Sequence, residues 1–364
     1  MDTSKIESAI RALADDAELL RRFQDDPRAI ASQIGLDVEW AETIALGDRY
    51  RLQAAGVGAA MSLRVAQWFI DRLNDSALTR RTRQELSQSP ARLPVPAEVV
   101  FAGGCSHVPA PPTSLGSAGS EAIRRRRAAY DRLAADIRAA DPEVMIVVAE
   151  SRAPGFITGA FVIGTGSTIG ASTTTSDPAL ALCGDPTYAR ALVDAVRAEG
   201  LEVEESNRVG LDKDLLSPLH ILLPEPELPV IPIITQPERG FSPFGARAFG
   251  EVLRIVVEMA GRRVAILATG GPSRRSDRAS FGQLAPEFDR FVLDMLRTGR
   301  GVELGDLEPY ALLANGRHEF QNWLVMLGLV GPGVAAEIYA YEPAGRGDDE
   351  GGWTVVNMIL PPKK

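Results

Sequence analysis

Four short apolar runs, at 99–102, 144–149, 230–234 and 264–268, alternate with stretches of helical spacing at 120–140, 187–199, 245–260 and 287–296. Runs this apolar, with no polar residue on every second position, fit strands covered on both faces. Strand–helix alternation of this kind predicts an α/β domain, a central, mostly β-sheet core flanked by helices. Ligands of such sheets bind in the crevice beyond the strand ends. The polar residues that follow each run are therefore where chemistry is expected.

The first ninety residues follow a different pattern. Ile6, Ile10 and Leu13, then Leu19, Leu20 and Phe23, recur at helical intervals among charged residues. Asp25-Asp26-Pro27 is a helix start, an acidic cap with proline in the first turn. Gly35 stops that helix and Asp37 can cap the next. A third helix follows Leu46-Gly47-Asp48, and Gly56-Val57-Gly58 interrupts before 61–73. The expected organisation is a small all-helical domain at 1–90, a proline-bearing linker at 91–97 and an α/β catalytic-type domain at 98–364.

A formal net charge of −9 argues against a dedicated nucleic-acid binder, which needs a basic stripe. The run Arg124 to Arg127 reads instead as a solvated, ion-paired helix face. The longest apolar stretch, 323–336, is broken by Gly328, Gly331, Pro332 and Gly333 and is too short to span a bilayer. The N-terminus lacks a basic start followed by an apolar core, so a cytoplasmic protein with no membrane partner is expected. Cys105 and Cys183 cannot build a disulfide framework, and Cys105 reads as a small buried thiol rather than a nucleophile. The glycine-bearing segment 164–170 lacks the spacing of a dinucleotide loop and reads as turn-rich. Any imidazole or metal chemistry must draw on three histidines, His107, His220 and His318.

The strand ends hold Ser106-His107-Val108-Pro109, Glu150-Ser151-Arg152 and Thr269-Gly270-Gly271-Pro272-Ser273-Arg274, with Asp212-Lys213-Asp214 and Glu287-Phe288-Asp289 elsewhere. Ser106-His107-Val108-Pro109, Gly184-Asp185-Pro186, Asp212 through Leu219, Thr269-Gly270-Gly271 with Ser273, and Glu287-Phe288-Asp289 resemble in order the catalytic subunit of the class III extradiol ring-cleaving dioxygenases, protocatechuate 4,5-dioxygenase type. The helical module resembles that family's small subunit, here fused ahead of the catalytic part. The family holds Fe(II) with two histidines and one glutamate and uses a further histidine as acid/base. The resemblance puts the first iron histidine on His107 and the glutamate on Glu287. It puts the second iron histidine on Arg152, the acid/base histidine on Lys213, and two further site histidines on Arg274 and Asp185.

Arginine has no lone pair to give and stays charged, so Arg152 cannot ligate iron. His107 and Glu287 alone are one donor short, which argues against an iron requirement. Arg152, Arg274 and Lys213 together make an anion site, with Thr269 and Ser273 as further substrate contacts. Two neighbouring guanidinium groups disfavour the ammonium form of Lys213 and would ready it, beside His107, for acid/base work. The reading is a dioxygenase-family enzyme for a small carboxylated, phenolic aromatic compound, assembled as a homo-oligomer. The alternatives are a metal-free hydrolase, lyase or decarboxylase on the same scaffold, or a non-catalytic partner subunit.

Overall fold

The structure is a computed structural model. It describes residues 3–45, 52–53, 55–58, 60–62, 64–65, 68, 98–106, 121–150, 160–169, 182–209, 218–219, 221–223, 228–236, 243–272, 286–307, 319–342 and 353–361, the side chains of Ala122, Ile123, Pro286 and Glu287 excepted.

The N-terminal segment is helical, as its punctuation dictates. Helices α1 (Thr3–Asp15), α2 (Ala17–Asp25), α3 (Pro27–Ala31) and α4 (Val38–Ala45) follow one another closely. Asp26 accepts from the Ala29 amide at 3.0 Å with Pro27 in the first turn, and Asp37 accepts from the Trp40 amide at 2.9 Å. Gly35 closes the intervening turn at φ 74°, the left-handed conformation glycine adopts without strain. Ile6, Ile10, Leu13 and Phe23 bury against Ile44 and Leu52 in a core of their own.

An eight-stranded sheet organises the rest. In chain order it is built from β1 (Val99–Cys105), α5 (Glu121–Ala140), β2 (Val144–Glu150) and β3 (Phe161–Gly164). The short pair β4 (Thr168–Ile169) and β5 (Leu182–Cys183) comes next, then α6 (Pro186–Ala198) and β6 (Glu204–Ser206). There follow β7 (Val230–Thr235), α7 (Pro243–Ala260), β8 (Val264–Thr269), α8 (Pro286–Arg297), α9 (Phe320–Val330), β9 (Ala336–Glu342) and β10 (Trp353–Met358). The spatial order is β6-β3-β7-β2-β8-β1-β10-β9. The four apolar runs are the parallel centre, β7-β2-β8-β1, and antiparallel strands close it on both sides. The segment expected to be only turn-rich carries β4, paired with β5.

Alternation along these strands sorts the core into two layers. Val144, Ile146 and Val148 of β2 join α6, α7, α8 and α9 on one face, while Met145, Val147 and Ala149 join α5 and 219–223 on the other. Every residue of α9 is buried, Gln321 and Asn322 of its first turn included, so this helix runs through the interior. On the outer face of α5 the arginine run is ion-paired, Arg125 and Arg126 to Glu342 and Arg127 to Asp131. No described helix is long and apolar enough to cross a membrane.

Candidate functional site

The carboxyl ends of the central strands finish level with one another. Glu150 lies opposite Thr235, Val148 opposite Ala268, and Cys105 opposite Thr269. The first turn of α9 lies over these ends and completes their hydrogen bonds. Asn322, fully buried, donates from Nδ2 to the Thr269 carbonyl at 2.9 Å and accepts the Thr235 hydroxyl at Oδ1 at 2.6 Å. Trp323 donates from Nε1 to the Gly270 carbonyl at 3.0 Å. The ring has room because β1 carries glycine there: a Cβ on Gly104 would stand 3.0 Å from the indole.

Gly270 is required where the chain leaves β8. Its φ is 103°, and an added Cβ would lie 2.4 Å from the Glu319 Cβ and 2.9 Å from its Oε2. The Glu319 carboxyl is therefore buried against the end of β8, one residue before α9 begins. Glu150 ends β2 on the same face as Val144, Ile146 and Val148, the face that α9 covers. Two carboxylates thus belong to this edge.

The exit of β1 is held by three hydrogen bonds, two to Thr354 of the neighbouring strand and one from α5. The Ser106 amide donates to the Thr354 carbonyl at 2.8 Å, and the Ser106 hydroxyl accepts from the Thr354 amide at 3.0 Å. The Tyr130 hydroxyl, from α5, donates to the Ser106 carbonyl. Burial pushes the neighbouring Cys105 thiol up to about 12, so it stays an inert S–H, as its reading as a small buried thiol expects.

Among the residues that the sequence singles out, His107, Arg152, Lys213, Ser273 and Arg274 lie outside the described residues, as do His220 and His318. Glu287 stands in the first turn of α8, its side chain likewise outside; Phe288 beside it meets Phe320 edge-on at 6.1 Å. Thr269 is fully buried and its hydroxyl donates to the Val148 carbonyl at 3.2 Å, which ties β8 to β2.

Asp185 is a correction to the reading by resemblance. It caps α6 by accepting from the Tyr188 amide at 2.9 Å and pairs with Arg262 at 2.5 Å. Arg262 also donates to the Glu143 carbonyl, directly before β2, so Asp185 belongs to the amino edge of the sheet, opposite the site. Burial raises the Asp185 pKa, but the Tyr188 amide and the Arg262 guanidinium outweigh it and hold the carboxyl below its ordinary range.

Sequence reasoning missed Glu319, Asn322 and Tyr130. A signal for Glu319 did exist: it is the acidic residue directly before seventeen consecutive residues with no charge, the first eleven of which form the buried helix. Nothing local marks Tyr130.

A facial Fe(II) site needs three donors with lone pairs. The sequence supplies a single histidine here, His107 directly after Ser106, and the structure holds the carboxylates of Glu150 and Glu319 at this edge. Two residues past β2, however, stands Arg152, a charged donor with no acceptor. The residues present do not fit Fe(II) held by two histidines and one carboxylate.

The family model described as the catalytic LigB subunit of aromatic ring-opening dioxygenase matches residues 102–346. A search of curated proteins finds no match. Among solved structures, the crystal structure of an uncharacterized protein from Escherichia coli K12 is similar, with TM-score 0.50 and 14% identity over 71% of this chain and 98% of that one.

Proposed function

The chain belongs to the family of the catalytic LigB subunit of aromatic ring-opening dioxygenase, and from that membership we propose that it acts on a small carboxylated, phenolic aromatic anion without the family's iron triad. Enzymes of this family typically use Fe(II), and the scaffold is of the extradiol dioxygenase type. In this chain Arg152 and Arg274 bind the carboxylate, each as a charged, planar donor suited to it. Lys213 exchanges a proton with the phenol and His107 serves as the second acid/base group. Ser273 hydrogen-bonds the bound anion. Glu319 and the Asn322 clamp hold the edge on which these residues depend. The reaction is then proton-transfer chemistry of the lyase, decarboxylase or hydrolase kind.

One observation carries this reading. The strands that immediately precede His107, Arg152 and Ser273-Arg274 are β1, β2 and β8, which are neighbours in the sheet and end level. A histidine and two arginines, two to five residues beyond three adjacent strand ends, have one crevice to share.

The test is to titrate chelator-treated protein with protocatechuate and gallate by calorimetry, then to measure bound iron and oxygen uptake after anaerobic Fe(II) loading. Saturable binding by the metal-free protein is expected, with far less than one iron per chain and no oxygen uptake on either catechol. Stoichiometric iron with oxygen uptake would overturn the proposal.

A further inference from the structure

Of the five large apolar side chains that stand exposed among the described residues, three belong to one helix: Phe244, Ile255 and Met259 of α7, at 61%, 43% and 83% exposure. At 3.6 residues per turn they lie within about 60° of one another, with the partly buried Ala248 between them. The opposite side of α7 is core, where Phe249, Leu253 and Val257 are buried. The helix cannot roll to hide its outer side. A Cβ on Gly250 would stand 2.0 Å from the Val325 carbonyl oxygen, and one on Gly328 would stand 2.2 Å from the Arg247 carbonyl oxygen, so α7 and α9 are in backbone contact. Phe244 is also held in place: the Arg247 guanidinium lies 5.2 Å from its ring centroid and is itself paired with Asp306. An exposed apolar stripe on a fixed helix marks an interaction surface, and a preordered aromatic side chain is what anchors one.

We propose that this face of α7 pairs with the same face of a second copy of the chain, the two helices running antiparallel. Charge and shape both select that partner. Arg247, Glu251, Arg254 and Glu258 run along one flank of the stripe with alternating sign. Two positive and two negative residues give the flank no net sign with which to recruit an acidic or a basic partner, yet the order read in reverse is its own complement. An antiparallel twofold pairing centred on Glu251 and Val252 sets Arg247 opposite the partner's Glu258 and Glu251 opposite the partner's Arg254; a parallel pairing sets like against like. Arg254 is buried and contributes its field, so the Arg247 and Glu258 pairs are the surface contacts. The same pairing sets Phe244 against the partner's Met259, a flexible thioether suited to an aromatic ring, and the small Ala248 against the partner's Ile255. Each contact occurs twice, as an isologous interface requires.

Sedimentation equilibrium of the full-length protein should show a reversible monomer–dimer equilibrium. Met259→Lys should raise the dissociation constant about 10-fold or more, because two apolar contacts are lost per dimer. Its melting temperature as a monomer should not change, since Met259 is exposed. A wild type that stays monomeric overturns the proposal, and so does a dimer that Met259→Lys leaves intact. A monomer that binds phosphatidylcholine vesicles through Met259 would give the face to a lipid surface and overturn it equally. Cross-linking tests the direction independently. In a Cys183→Ser background, which removes the exposed thiol, Val252→Cys should form a disulfide with itself under mild oxidation. Phe244→Cys should cross-link only when mixed with Met259→Cys. Self-linking of either variant, or absence of the mixed link, would overturn the antiparallel pairing.

Discussion

The two ends of the same parallel sheet are built on opposite principles. At the amino edge, charged residues pair in reach of water: Asp185 with Arg262, and Arg263 with Asp141 and Glu143. At the carboxyl edge the described hydrogen-bonding residues Ser106, Thr235, Thr269 and Asn322 are buried and uncharged, and their partners are remote in sequence. Asn322 reaches Thr269 across 53 residues, and Thr354 reaches Ser106 across 248. Water can complete a hydrogen bond at the first edge, whereas the buried groups of Asn322, Thr269 and Ser106 at the second depend on protein partners. A dry edge with matched internal bonds is what a preorganised site requires, and it leaves little room for substitution.

That contrast sets a descending order of effects. Gly270→Val should be the most damaging change, since its side chain would enter the space of Glu319 at a φ that β-branched residues avoid. A loss of about 3 kcal/mol or more in urea denaturation is expected. A loss below about 1 kcal/mol would show that the carboxyl edge yields as easily as a loop. Asn322→Ala comes next, because it leaves the Thr269 carbonyl without the Asn322 amide and the Thr235 hydroxyl with only the Ala149 carbonyl, in a closed interior. A cost of about 2–3 kcal/mol is expected by the same measurement.

At the amino edge the effects shrink. Asp185→Ala removes a helix cap and should cost about 1 kcal/mol, with no change in ligand affinity. The pH dependence has a definite sign. The folded Asp185 carboxyl lies below its unfolded value, so its contribution is complete above about pH 4 and is lost as pH falls through the folded pKa. The stability gap between wild type and Asp185→Asn should therefore close on acidification and stay constant between neutrality and pH 5; a gap that widens with acid would contradict the assignment. Arg263→Gln, an exposed pair, should stay within about 0.5 kcal/mol in the same assay.

The same contrast explains what could be read from the sequence. The four central strands and helices α5, α6, α7 and α8 were legible because uninterrupted apolar runs and helical spacing are local signals. Strand β9 was not: Ala336-Glu337-Ile338-Tyr339 alternates weakly, and its pairing with β10 depends on residues beyond 350. Asp185-Pro186 repeats the cap-and-proline grammar of Asp26-Pro27, and that local signal outweighed the histidine expected there from the resemblance. The carboxyl edge was illegible for the opposite reason. Asn322, Trp323 and Tyr130 acquire their roles only when the fold brings distant carbonyls to them, and no spacing in the chain records that.

The central claim is that the carboxyl edge holds an anionic aromatic ligand through cations and that the amino edge takes no part. It is tested most directly by the affinity of metal-free protein for protocatechuate, measured by calorimetry in wild type, Arg152→Met and Asp185→Asn. The account predicts about a 10-fold or greater loss for Arg152→Met, the value of one charge-assisted hydrogen bond, and wild-type affinity for Asp185→Asn. Equal losses in both variants, or binding that appears only after Fe(II) is added, would contradict it.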